Sequence, residues 1–134
     1  MTVVPIVLSI TAGICLFAGG MHLLFGLSRR PHDWVHITFS LSSLSIAANT
    51  LAVLAIHTAD SVDAYVTAFK YGFGPAALGA QLGVLWFVAF YTGVRPRRFL
   101  LALSLLFTGI VVLQLVLPYG ILFAGVSGLR EITM

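Results

Sequence analysis

The chain has 134 residues, 60% of them hydrophobic and only 8% charged, with a formal net charge of +3. A soluble domain carries about 25% charged residues, so this composition excludes an ordinary soluble globular fold. It also excludes a nucleic-acid footprint, because the basic residues sit in short turns between apolar runs rather than along one face.

Each apolar run between charged clusters is near or above the ~20 residues a helix needs to cross about 30 Å of hydrocarbon. The first runs from about Val3 to Leu27. No basic residue precedes it, which reads as a retained helix rather than a cleaved signal peptide. Cys15 lies within it, and a single cysteine supplies neither a disulfide framework nor a thiolate-rich metal motif. A tight turn follows, with Arg29, Arg30 and Asp33; Pro31 suits the first turn of the next helix, and Trp34 the headgroup level. The second span runs from about Val35 to His57, with His57 at the interface and Ser40, Ser43, Ala47 and Ala48 small enough for close helix approach.

Residues 60–70 predict a short interfacial helix, capped by Asp60 or Ser61, in which Val62, Tyr65, Val66 and Phe69 recur at helical spacing. Gly72-Phe73-Gly74-Pro75 is expected to break it before a third span from about Phe73 to Thr92, where Gly79 and Gly83, and Ala76 and Ala80, again permit close packing. A turn with Arg95, Arg97 and Arg98 leads to a fourth span from about Phe99 to Ile121. None of these runs alternates apolar with polar as a barrel strand would. The fold class is therefore all-α: a polytopic membrane protein with one four-span domain over residues 1–134, built of four antiparallel transmembrane helices plus a short outer interfacial helix.

Arg29, Arg30, Arg95, Arg97 and Arg98 act as topology anchors. They put turns one and three in the cytoplasm and both ends of the chain outside, against a single Lys70 beside Asp60 and Asp63 in turn two. This orientation gives Thr11, Asn49, Gln81 and Gln114 one common depth, roughly 10 to 12 Å below the outer surface. Uncharged polar groups in hydrocarbon seek partners, so the four form a candidate interhelical cluster, either packing glue or the lining of an outward pocket.

His22, His32 and His36 flank the first turn. Three imidazoles there are a candidate metal or haem site; the alternative is that His22 and His36 hydrogen-bond between helices while His32 meets water or phosphate. The latter is expected, with no cofactor. No intramembrane carboxylate, Ser/His/Asp set or phosphate-binding glycine loop is present, so the chain is not expected to be an enzyme by itself.

The order of His22-Leu23-Leu24-Phe25-Gly26-Leu27, a basic turn, Thr58-Ala59-Asp60 with Ala64-Tyr65, the pair Lys70-Tyr71, a second basic turn and the closing Gly128-Leu129-Arg130-Glu131-Ile132-Thr133 resembles the N-terminal membrane input region of bacterial sensor histidine kinases. Tyr71 departs from the tryptophan usual there. The resemblance implies a truncated front end in the bacterial inner membrane, with the bilayer, further transmembrane helices and a cytoplasmic output module as partners. A homodimer is compatible with it, and no nucleic acid is implied. It carries over no ligand-binding residue. The alternative functions are a small-solute transporter or a structural subunit of a membrane complex.

Overall fold

The computed structural model describes residues 3–121, and these are helical apart from turns. The terminal Gly128–Thr133 motif and the side of the membrane on which Met134 lies fall outside the described residues. The helices are α1 (Val3–Ser28), α2 (Trp34–His57), α3 (Val62–Thr67), a π-helical segment (Ala68–Phe73), α4 (Gly74–Thr92) and α5 (Arg97–Val116). Four helical stretches are long and apolar enough to span a membrane: α1, α2, the continuous run Val62–Thr92, and α5. The end carrying the arginine turns is called here the arginine face, and the end carrying Asp60 and Asp63 the aspartate face.

Among the described residues the helices do not close into a bundle. α1 packs on α2 alone, α2 on α4, and α4 on α5, with no α1–α4, α1–α5 or α2–α5 contact. The result is an open row in the order α1, α2, α4, α5. Of its two inner members, α2 has 33% of its spanning window buried, against 11% for the run that holds α4 and for each outer helix. The sequence explains this position. α2 buries Thr38, Ser40, Ser42, Ser43, Ala47, Thr50 and Ala52, all small side chains that let both neighbours approach. Ala48, read as part of the same small face, is exposed instead.

The neighbours supply matching glycines. A Cβ at Gly19 or Gly26 of α1 would lie 2.8 Å from Leu44 or 2.7 Å from Ile37, and one at Gly83 of α4 would lie 2.8 Å from the Ser42 backbone nitrogen. Lipid tails are as apolar as leucine, so helices associate in a membrane through such close packing rather than through hydrophobic exclusion. The Ser43 hydroxyl adds a bond to the Cys15 carbonyl at 2.9 Å across α1 and α2, and Trp86 Nε1 donates to Ser104 Oγ at 3.0 Å across α4 and α5.

Three sequence expectations change. The second helix starts at Trp34, next to the expected Val35, but Pro31 lies ahead of it rather than in its first turn, because Asp33 caps it: its Oδ1 accepts from the Val35 N–H at 3.1 Å and the His36 N–H at 3.4 Å. The fourth span ends at Val116 rather than Ile121, since Pro118 pushes Leu117 out of the helical region to ψ 141°.

The expected break at Gly72–Pro75 is also absent. Ser61 caps the outer helix as anticipated, but that helix runs on into α4 through the π segment, where the Gly74 N–H donates to the Phe69 carbonyl five residues back. Pro75 has no N–H to give, and its ring would crowd the carbonyl four residues earlier. Widening the turn just before it relieves both problems without ending the helix. The 31 residues of Val62–Thr92 extend about 46 Å, more than the ~30 Å of hydrocarbon. The outer helix is thus a projecting first stretch of the third span, not a separate piece lying on the surface.

Candidate functional site at the π turn and the arginine turns

The four polar residues read as one cluster do not assemble. Thr11 is exposed and its hydroxyl donates to the Val7 carbonyl of its own helix at 2.9 Å. Gln81 is exposed in a groove between α4 and α5 beside Phe107. Gly83, Gly79 and Gly72 face Ser42, Ser45 and Ala52 respectively. That register sets Asn49 level with about residue 75, and Gln81 about six residues, or ~9 Å, closer to the arginine face. The expectation of equal depth fails because it counted from Phe73, whereas the helix begins at Val62.

Asn49 and Gln114 do share a level, since Gly74 faces Gln114. They lie on opposite sides of the third span, on α2 and α5, which do not touch.

Gln114 is the informative member. It is 3% exposed, and its Oε1 accepts from the Ile121 N–H at 2.8 Å, folding the chain past Pro118 back over the end of α5. Its Nε2 is buried with no hydrogen-bond partner among the described residues. The side chain forms one wall of a cavity of about 230 Å³ between the π segment, α4 and α5, otherwise lined by apolar side chains including Phe69, Phe73, Leu78 and Ile110. Nε2 packs against Gly74 and Gly120, where a Cβ would meet it at 2.8 and 2.6 Å, and a buried amide donor left unpaired costs about 1–3 kcal/mol.

The cavity adjoins the π turn, an element over-represented at functional sites. Lys70, in the same turn, is 8% exposed with its Nζ 5.1 Å from the Tyr71 ring centroid. The signals in the sequence are Lys70, the one basic residue between Val62 and Thr92, and Pro75 four residues after Tyr71. They predict an interfacial helix that breaks at Gly72–Pro75, because helix continuity through a proline is the rarer outcome.

At the arginine face, His22 and His36 meet across α1 and α2 as expected, with Nδ1 to Nδ1 at 2.8 Å. One ring must therefore carry its hydrogen on Nδ1 and the other present a lone pair there. His22 also packs on Phe39 with ring centroids 4.3 Å apart. Asp33 Oδ2 stands 3.8 Å from His36 Nε2 and accepts from Arg29 Nη1 at 3.2 Å, so one carboxylate caps α2, holds the turn and backs the histidine pair. His32 does not join them; it is exposed and faces a separate cavity lined by the arginine turns. Among the described residues no three metal-ligating side chains converge, which corrects the three-imidazole geometry.

Comparison with protein-family models, with curated proteins and with solved structures returned no match for this chain.

Proposed function

We propose that this chain is the membrane-embedded input module of a bacterial receptor of the histidine-kinase type, receiving its stimulus at the cavity beside the π turn. The observation that carries the reading is the unpaired Gln114 amide beside an apolar cavity that adjoins a π-helical turn. A ligand that satisfies Nε2 favours one turn geometry, and a change between π and α in the third span rotates everything C-terminal to it, including the aromatic face of α4 at the opposite membrane surface. An input element needs such a two-state part.

The open row supports the same reading, because broad apolar faces on α1 and α5, with Phe17, Leu105 and Val112 exposed, suit further helices of a larger assembly. The order of motifs that resembles the kinase input region agrees. The five arginines orient the arginine face to the cytoplasm of an inner membrane, with the N-terminus outside. Transport fits less well: the one carboxylate in the four spans, Asp63, lies at the projecting start of the third, and the Gln114 cavity lies near the aspartate face rather than along a path across the membrane.

An N-terminal epitope tag at the native chromosomal locus tests the reading. The expected product is far heavier than the 14.4 kDa of these residues, sits in the inner membrane and labels with acid-labile phosphate from ATP. A tagged product of about the mass of this chain alone, with no phosphohistidine, overturns it.

A further inference from the structure

We infer that the arginine face holds a built site for the phosphate of an anionic phospholipid. Because α2 lies between α1 and α4, the start of α2 meets the end of α4, and two turns far apart in sequence become neighbours. Between them is a cavity of about 530 Å³. Arg29, Arg30 and His32 border it from the first basic turn and Arg95 from the other, over a floor that includes Trp34 and Phe90.

That floor is an aromatic stack. Trp34 stacks on Phe90 at 6.0 Å and Trp86 on the same ring at 5.7 Å, while the Arg95 guanidinium lies 4.8 Å from the Phe90 centroid and is held at the cavity edge. Asp33, also on the lining, engages Arg29. Arg30 and Arg95 form no ion pair among the described residues, so three guanidiniums against one carboxylate leave a surplus of two positive charges. Planar guanidiniums bind phosphate oxygens through paired N–H donors, and basic pockets between helices at the cytoplasmic surface suit phospholipid headgroups.

Two features favour a lipid over free phosphate. The cavity lies at the end of the membrane-spanning helices, where headgroups are found. Its floor is aromatic, and Trp34 is 54% exposed beside it, offering an apolar flank to the glycerol and upper acyl region. This site is at the opposite membrane face from the Gln114 cavity and does not depend on the signalling role.

The full chain, reconstituted in phosphatidylcholine vesicles with about 10% phosphatidylglycerol and then extracted at ~0.5 M salt to suppress diffuse attraction, is analysed for retained lipid by native mass spectrometry. Phosphatidylglycerol is expected to be retained in preference to phosphatidylcholine. Arg30→Gln with Arg95→Gln should weaken retention by about tenfold or more, since each arginine near the surface contributes roughly fivefold.

The control is Arg97→Gln with Arg98→Gln, which removes the same charge from exposed positions that do not line the cavity. It should change retention by no more than about twofold under that salt screening. Equal losses in the two double variants would reduce the cavity to general surface charge and overturn the inference. So would retention of phosphatidylcholine equal to phosphatidylglycerol, or displacement of all bound lipid by inorganic phosphate at low concentration, which would make the free anion the ligand.

Discussion

Gly83→Ala is expected to destabilise the protein by about 2–3 kcal/mol, the upper part of the range for overpacking a tight interface. The added methyl would stand 2.6 Å from Ser42 Oγ, 2.8 Å from Ser42 N and 2.9 Å from Ser42 Cα. Two of those atoms are backbone, so no rotamer change relieves the contact and α2 and α4 must separate. Their separation loosens the one joint that links the α1–α2 pair to the α4–α5 pair.

Two other glycines calibrate this effect. Gly79 meets only the Ser45 side chain, with Oγ at 3.0 Å, and that hydroxyl rotates; Gly79→Ala should cost less than Gly83→Ala. Gly13 has nothing within 4 Å, so Gly13→Ala should be neutral or gain up to ~1 kcal/mol from helix propensity. Thermal or denaturant unfolding in detergent reads all three. The same loss at Gly13 as at Gly83 would show that the cost is not the α2–α4 contact.

His36→Leu is expected to destabilise the first hairpin by about 1–2 kcal/mol, and more than His22→Leu does. Either change strands the remaining imidazole without its 2.8 Å partner, and interhelical bonds in membranes are worth about 0.6–2 kcal/mol. His36 additionally faces Asp33 at 3.8 Å, which His22 does not. Removing both rings strands neither, so the double variant should lose less than the sum of the singles, with a coupling of at least ~0.5 kcal/mol. Additive losses would mean that the two histidines do not touch.

Much of the fold was legible because hydrocarbon thickness leaves little freedom. Four uncharged runs had to be four spans, and Gly83, Ser43 and Ala47 marked packing faces because nothing larger fits there. The histidine pair was legible too, since two imidazoles at the same end of a tight hairpin have few other partners.

Helix order was not legible. The spans are apolar on every side, so periodicity cannot separate a face that meets lipid from one that meets a helix, and nothing in the sequence of α1 or α5 says that they stay apart. The polar cluster failed for a related reason: depth was counted from an assumed helix start, and the π turn that carries the helix past Pro75 moved Gln81 out of level with Asn49. The arginine cavity was hidden because it joins two turns more than sixty residues apart, and their meeting depends on that same unread order.

The open row is therefore the claim on which both candidate sites depend, and intramolecular cysteine cross-linking tests it most directly. In a Cys15→Ala background, cysteine pairs replacing His22 with His36 and Trp86 with Ser104 should be joined within one chain in membranes by a short bifunctional thiol reagent, because the side chains they replace meet across the helices. Pairs scanned between α1 and α5, beginning with Phe17 and Leu105, which are 72% and 74% exposed, should give no intramolecular product. Efficient cross-linking of α1 to α5 within a single chain would show a closed four-helix bundle and contradict the row.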